Sequence, residues 1–294
     1  MQVGHWTDSQ ARTGCTVIRF TGDVVASGEV RGGAPATREF ALLDATKTVQ
    51  SIDAVVLSGG SAFGLAASDA VARTLRAQDV GFETAHGRVP IVIGMSLFDL
   101  GVGNAMRWPG VPEGDEALSE VAVDFAVGAV GAGTGATAGK WRGSDHAYAA
   151  GLGFATVSKG DVVVSALIAA NPSGDIGARG AEIREQIAGE SFDWPEVKPA
   201  FGENTTIGVI ATNATLTKSQ CRSVAEAGHD GLARATFPAH GPTDGDALVA
   251  VGRTNVKADD AGEAEDAVEV AEATVRMLAA TAVEQAILSL ETAP

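Results

Sequence analysis

Basic residues are in short supply: 21 Lys and Arg stand against 37 Asp and Glu, a formal net charge of −16. A surface of that sign repels phosphate backbones and anionic lipid, which argues against nucleic acid and membrane as partners. Cysteine is nearly missing as well. Cys15 and Cys221 have no metal-ligand spacing, and two thiols in a chain of 294 residues are expected to be reduced, as in a cytosol. The stretch from Met1 to Gly14 is polar and carries no apolar signal core, so the expected location is cytoplasmic. No apolar run reaches the length of a membrane span. The five histidines are scattered and form no H-E-x-x-H pattern, so neither a metal site nor a cofactor is expected. Aromatics make up only 5% of the chain, too few for a broad aromatic recognition surface, and no internal repeat is visible.

What the chain does have is glycine, 37 in all, and an apolar fraction of 45%. That composition is ordinary for a globular chain, and the length is enough for a sizeable core in one large domain or two small ones. Thr16–Phe20 and Val24–Val30 read as short strands around Gly22-Asp23, which suggests a hairpin. Asp53–Leu57 is a buried strand leading through Ser58-Gly59-Gly60-Ser61 into a helix over Ala62–Gln78. In that helix Ser61 is the expected N-cap, and Phe63, Leu65, Val71 and Leu75 supply the apolar surface. Val89–Gly94 is a further strand, and Asp115–Ala126 reads as a helix. Ala149–Val157 and Val162–Ala170 pair around Lys159-Gly160-Asp161. Their apolar runs are too continuous for a sheet with one wet face, so both faces are expected to be covered. Gly177–Ala200 reads as an exposed linker. Thr217-x-x-Gln220 has the form of a capping box opening a helix to about Ala235, with Cys221, Val224, Ala225, Gly228 and Leu232 on one face. Ala247–Gly252 is a strand, and Ala261 to about Leu290 a long helix.

Chemistry concentrates at Glu203-Asn204-Thr205-Thr206. Thr206–Ala211 reads as a buried strand, and the Asn204–Thr205 bond sits where a loop enters it. A hydroxyl in that position can attack the preceding carbonyl and open the chain. Thr205 would then carry a free α-amine, which titrates near ~8 and can serve as base for its own hydroxyl. The same residue also reads as an ordinary β-former at a strand start. Asn171, at the end of the strand from Val162, could donate its amide to an oxyanion or simply make the turn before Pro172. Asp244 and Asp246, one glycine apart, can converge on one point and hold an ammonium or orient a hydroxyl; the ligand spacing of a calcium loop is missing. The glycine-rich run Gly131–Lys140 fits neither nucleotide-loop pattern, because Trp141 follows the lysine and no helix is indicated. Its use is to bring backbone, including Gly133, close to a site and to deliver Lys140 there; Lys140 also reads as an ordinary solvent-exposed lysine. Gly60 and Ser61, between strand and helix, could offer backbone N–H groups to a substrate; as a G-x-S-x-G elbow the run fails, since Phe63 takes the last glycine's place.

Taken in order, Val3–His5, Gly14–Val17, Val30–Pro35, Val56–Leu65, Phe98–Gly103, Gly131–Thr137, Asn204–Val209 and Asp230–Ala235 make the chain resemble the L-aminopeptidase/D-esterase family, nearly end to end. That family includes β-peptidyl aminopeptidases and a nylon-oligomer hydrolase. The resemblance implies an α/β (α+β) fold, a four-layer αββα sandwich. It implies one domain over 1–294 that cleaves itself into an α chain of 1–204 and a β chain of 205–294. It implies Thr205 as nucleophile, Asn171 in the oxyanion hole, Lys140 as the site lysine, and Asp244 and Asp246 as the paired acids. Substrate contacts would come from Gly60, Ser61, Phe98 and Gly133. The substrate would be a small peptide, amide or ester, and the assembly a homo-oligomer, tetramer or higher. Phe98 is a departure, because relatives often carry Tyr there, and the missing hydroxyl bears on substrate preference. Three alternatives stay open: an acyltransferase on the same fold, similar to ornithine acetyltransferases; an esterase using Ser61; and an uncleaved binding protein.

Overall fold

Two five-stranded sheets packed face to face carry the structure, a computed structural model that describes residues 1–22, 24–189, 192, 204–254 and 270–291. The chain begins with β1 (Gln2–Asp8), β2 (Thr13–Arg19), β3 (Val24–Val30), β4 (Thr37–Arg38) and β5 (Ala54–Ser58). Helix α1 (Ala67–Ala77), β6 (Val92–Ser96) and α2 (Val111–Ser119) follow. Next come β7 (Thr137–Ala138), β8 (Tyr148–Ala149), β9 (Gly151–Lys159), β10 (Val162–Asn171), β11 (Asp175–Ile176) and α3 (Gly177–Ala188). The last part holds β12 (Thr205–Thr215), α4 (Lys218–Ala235), β13 (Thr236–Phe237), β14 (Ala247–Arg253) and α5 (Glu272–Leu288). The first sheet has the order β1-β2-β5-β6-β4 and the second β3-β14-β12-β10-β9; β7 with β8 and β11 with β13 form small ribbons.

The side-chain alternation of the strands explains the layering. Ile18, Leu57 and Ile93 of the first sheet meet Leu167, Ile207 and Val249 of the second in a shared core between them. The next residues along the same strands face outward. Val17, Val56 and Val92 pack against Val71 and Leu75 of α1 and Leu118 of α2. Ile168, Ile210 and Leu248 pack against Val224 and Leu232 of α4 and Val283 of α5. The result is the αββα sandwich; β10 is covered on both faces from Ala166 to Asn171, whereas β9 is buried only over its first three residues and is half-buried or exposed beyond them. Cys15 and Cys221 are free, buried thiols in opposite outer layers, and burial pushes both up, Cys221 to about 12. Among the described residues no helix is long and apolar enough to cross a membrane.

Several local expectations are corrected. β2 and β3 do not form a hairpin: β2 pairs with β5 and β3 with β14, so the link around Gly22 carries the chain from one sheet to the other. Both strands are buried along nearly their whole length, which suits a crossing between packed sheets better than a hairpin with one wet face. Ser61 caps nothing. It has φ +54, and a 3-10 turn over Ser61–Ala66 precedes α1. Phe63 lies outside the core, 56% exposed and stacked on Trp108. Helix α2 comes earlier than expected, because Pro112 lies in its first turn and the Glu113 carboxylate takes the Gly110 N–H at 2.8 Å. The first half of the expected linker is α3. The long final helix begins at Glu272, and its expected stretch over 261–269 lies outside the described residues.

Candidate active site

The antiparallel register of β10 and β12 places Asn171 directly opposite Thr205. The parallel pairing of β12 with β14 brings the loop before Ala247 alongside the start of β12, where Asn204 bridges to Asp244. Three strand ends thus meet at one edge of the second sheet. Thr205 is the first residue of β12 and is 3% exposed. Its hydroxyl lies against the carbonyl oxygen of Asn204. The same oxygen accepts the Gly245 N–H at 2.9 Å. The bond between Asn204 and Thr205 is therefore presented to a hydroxyl from one side and to a hydrogen-bond donor from another. Gly245 is glycine for a steric reason: a Cβ there would stand 2.7 Å from the Thr205 hydroxyl and 2.7 Å from the Ala34 carbonyl oxygen.

The acids flank the Asn204–Thr205 bond and are buried. Asp244 is 2% exposed and accepts the Gly241 N–H at 2.6 Å and the Ser173 N–H at 3.2 Å. Burial, with the neighbouring Asp246 charge, pushes its carboxyl up to about 6, while the backbone donors and Lys140 pull the other way. Asp246 is 1% exposed; Oδ1 accepts the Thr206 N–H at 2.7 Å and Oδ2 meets His240 Nδ1 at 2.8 Å. Thr206 follows the candidate nucleophile, so Asp246 fixes the backbone that carries it.

Opposite the acids, Gly139 has φ +78, and the turn it permits aims Lys140 back across β7. Lys140 Nζ donates to Asn171 Oδ1 at 2.7 Å, to the Thr137 carbonyl at 2.8 Å and to the Asn171 carbonyl at 3.2 Å. Asn171 Oδ1 also accepts the Thr137 N–H at 2.9 Å, and this fixes the amide so that Nδ2 donates to the Phe98 carbonyl at 3.0 Å. Phe98 joins the site through its backbone. Gly60 reaches it only indirectly, its N–H held by Asp99 Oδ1 at 2.7 Å, and the Ser61 N–H is taken by the Leu97 carbonyl at 2.9 Å. Gly133 packs its backbone against Gly128 and Leu152, with its N–H on the Val130 carbonyl at 2.9 Å. The structure thus gathers Asn204, Thr205, Asn171, Lys140, Asp244 and Asp246 into one cluster. Gly60, Ser61 and Gly133 stand in the scaffold around it. Sequence reasoning missed Gly245 as a donor and His240 altogether. Both act through the approach of one loop to a distant strand, for which no local spacing rule exists. Among the described residues no group of three or more His, Cys, Asp or Glu could hold a metal ion.

A hydroxyl, a carbonyl held by an amide donor, and buried acids and amides thus lie together where three strands of an αββα sandwich end. The chain belongs to peptidase family S58, whose model matches residues 1–293. An uncharacterized aminopeptidase of Mycobacterium leprae is 38% identical over 292 residues, covering 88% of this chain and 78% of its own. A 6-aminohexanoate-oligomer endohydrolase of Kocuria is 29% identical over 276 residues, covering 85% of this chain and 72% of its own. The solved L-aminopeptidase D-Ala-esterase/amidase of Ochrobactrum anthropi superposes with a TM-score of 0.70 at 20% identity, covering 98% of this chain and 83% of its own. That structure is described as a variant of the Ntn hydrolase fold.

Proposed function

We propose that the chain cleaves itself between Asn204 and Thr205 and then hydrolyses small peptides or amides, as an aminopeptidase or amidase, with Thr205 as its N-terminal nucleophile. The observation that carries this reading is the Thr205 hydroxyl lying against an Asn204 carbonyl whose oxygen already accepts the Gly245 N–H. In processing, a bond forms between Thr205 Oγ1 and the Asn204 carbonyl carbon. The C–N bond to Thr205 breaks, and the hydroxyl proton passes to the departing nitrogen. Water then hydrolyses the ester, leaving a carboxylate on Asn204 and a free amine and hydroxyl on Thr205. Gly245 N–H stabilises the oxyanion of the first step, the kind of donor whose removal costs roughly 3–4 kcal/mol.

In turnover the Thr205 amine takes the proton from its own hydroxyl as the latter attacks the substrate carbonyl; the substrate C–N bond breaks, the proton passes to the leaving amine, and water hydrolyses the resulting ester to release the acid and restore Thr205. The Asn171 amide, oriented by Lys140 and Thr137, is the side-chain donor for the substrate oxyanion. Lys140 lowers the amine's proton affinity and the acids raise it. A cytoplasmic homo-oligomer, tetramer or higher, completes the reading carried over from the family resemblance.

Purified protein should run as two fragments on denaturing electrophoresis, the smaller beginning Thr-Thr-Ile-Gly. Thr205→Ala should stay one chain and hydrolyse neither aminoacyl anilides nor 6-aminohexanoate oligomers. Cleavage at the same bond in Thr205→Ala, or wild-type hydrolysis by it, would refute the assignment.

A further inference from the structure

His240 lies in the loop between β13 and β14, with φ +57 and a side chain 16% exposed. Its Nδ1 stands 2.8 Å from Asp246 Oδ2 and its Nε2 3.3 Å from the backbone carbonyl of His229 in α4. A carbonyl oxygen has no proton to give, and neither has an ionised carboxylate. Neutral imidazole carries a single N–H and can satisfy only one of them. Moving the proton onto Asp246 is uphill, because a carboxylate is the weaker base by roughly 2–3 pKa units. The other carboxylate oxygen, Oδ1, already accepts the Thr206 N–H at 2.7 Å. Both ring contacts are met together only when both nitrogens are protonated.

We propose that His240 is an imidazolium clamp on Asp246, a positioning residue that holds Oδ2 of that carboxylate while Oδ1 takes the Thr206 N–H, and so sets the backbone next to the nucleophile. The chain of contact runs from the His229 carbonyl through the ring to Asp246 and on to the residue after Thr205. The clamp also supplies a buried positive charge beside two buried acids. The second of these, Asp244, has its carboxyl held up by burial and by the Asp246 charge.

The charged groups around the ring set the sign. Burial alone pushes the His240 proton affinity down, and Arg31, at the end of β3, does the same. The hydrogen bond and charge of Asp246 outweigh them, so the net direction is up. His229, whose ring centroid is 5.0 Å away, adds no competing charge, because burial holds its affinity down at about 3. Asp244 is raised by burial and by the Asp246 charge, and Lys140 acts on it in the opposite sense. As pH rises through the raised His240 value, one ring nitrogen loses its proton. Either Asp246 or the His229 carbonyl then loses its donor, and the support of Thr206 loosens. Processing and turnover should both fall there.

The kinetic arm of the test rests on Thr205 as nucleophile, and the spectroscopic arm does not. In the full-length protein with 15N-labelled histidine, both His240 nitrogens should carry protons at neutral pH; an unprotonated nitrogen there overturns the proposal. His240→Asn keeps a donor at the Nδ1 position, suits the left-handed backbone and removes the charge. It should process about tenfold more slowly, a barrier change of 1.36 kcal/mol. Its low-pH limb of hydrolysis should move up, since the acids lose a cation, and its high-pH limb should disappear. A His240→Asn profile superimposable on wild type also overturns the proposal. Activity surviving in Thr205→Ala would instead remove the nucleophile assignment and leave the protonation result standing.

Discussion

The Thr205 hydroxyl has little room, and Gly245 is the residue that defines it. Its N–H is already on the Asn204 carbonyl at 2.9 Å, and the space a side chain would need is occupied by Thr205 Oγ1 and the Ala34 carbonyl. Gly245→Ala should therefore move either the donor or the nucleophile by a few tenths of an ångström. Misplacing an oxyanion donor costs most of its contribution, so processing should slow by about 10²-fold. The measurement is the half-time of fragment appearance after synthesis, followed on denaturing gels. Gly245→Ala processing at the wild-type rate would mean that another donor serves the oxyanion. Asp244 and Asp246 are tied into the same few residues. Each accepts a backbone N–H from a different segment, Asp244 from the Gly241 turn and the Ser173 turn, Asp246 from β12. They hold the Asn204–Thr205 bond in register as well as supplying charge.

At the scale of elements, the outer helix layer on the second sheet depends on close approach of α4 to α5. A Cβ on Gly231 would overlap the Ala280 carbonyl, and one on Gly228 would overlap Ile210 of β12. Gly231→Ala must push the two helices apart. Overpacking of this kind costs about 1–3 kcal/mol, so the melting temperature should drop by several degrees while cleavage at Asn204–Thr205 continues. An unchanged melting temperature would show that the helices can slide at no cost. Elements like α4 were legible from the sequence because their signals are local: Thr217 and Gln220 form the capping box, and Cys221, Val224, Ala225, Gly228 and Leu232 are all buried. The pairing of β9 with β10 was legible for the same reason, its turn at Gly160 having φ +58. What failed was non-local. A short link between two buried strands reads alike whether the strands pair or part, so the crossing after β2 looked like a hairpin. Helix α3 buries only Gly180 and Ile183 and so leaves almost no apolar stripe to read. Thr205, Asn171, Lys140, Asp244 and Asp246 could be marked in advance because each sits at a strand end or a glycine turn. Gly245 and His240 could not, since their roles exist only once β14 has come alongside β12.

Across the whole molecule, the proposed cleavage cuts the chain without dividing the fold. The segment from Thr205 onward supplies β12 and β14, which lie next to each other inside the second sheet, flanked by β10 on one side and β3 on the other. Both flanking strands belong to the segment before Asn204. The later segment also supplies α4 and α5, which cover the outer face of that sheet, while Leu167 and Ala169 of β10 share the inner core with Ile207 and Val249. Separating the two pieces would break three ladders, β10 with β12, β14 with β3 and the short β11 with β13, and open both cores at once. Such a boundary resembles a domain core cut in half, the mark of an obligate interface. Processed protein should therefore elute from a gel-filtration column as one species containing both fragments in equal amounts. It should melt in a single cooperative transition, and its fragments should part only in denaturant. Two fragments eluting apart under native conditions, or two separate melting transitions, would mean that the pieces fold independently, against the shared sheet.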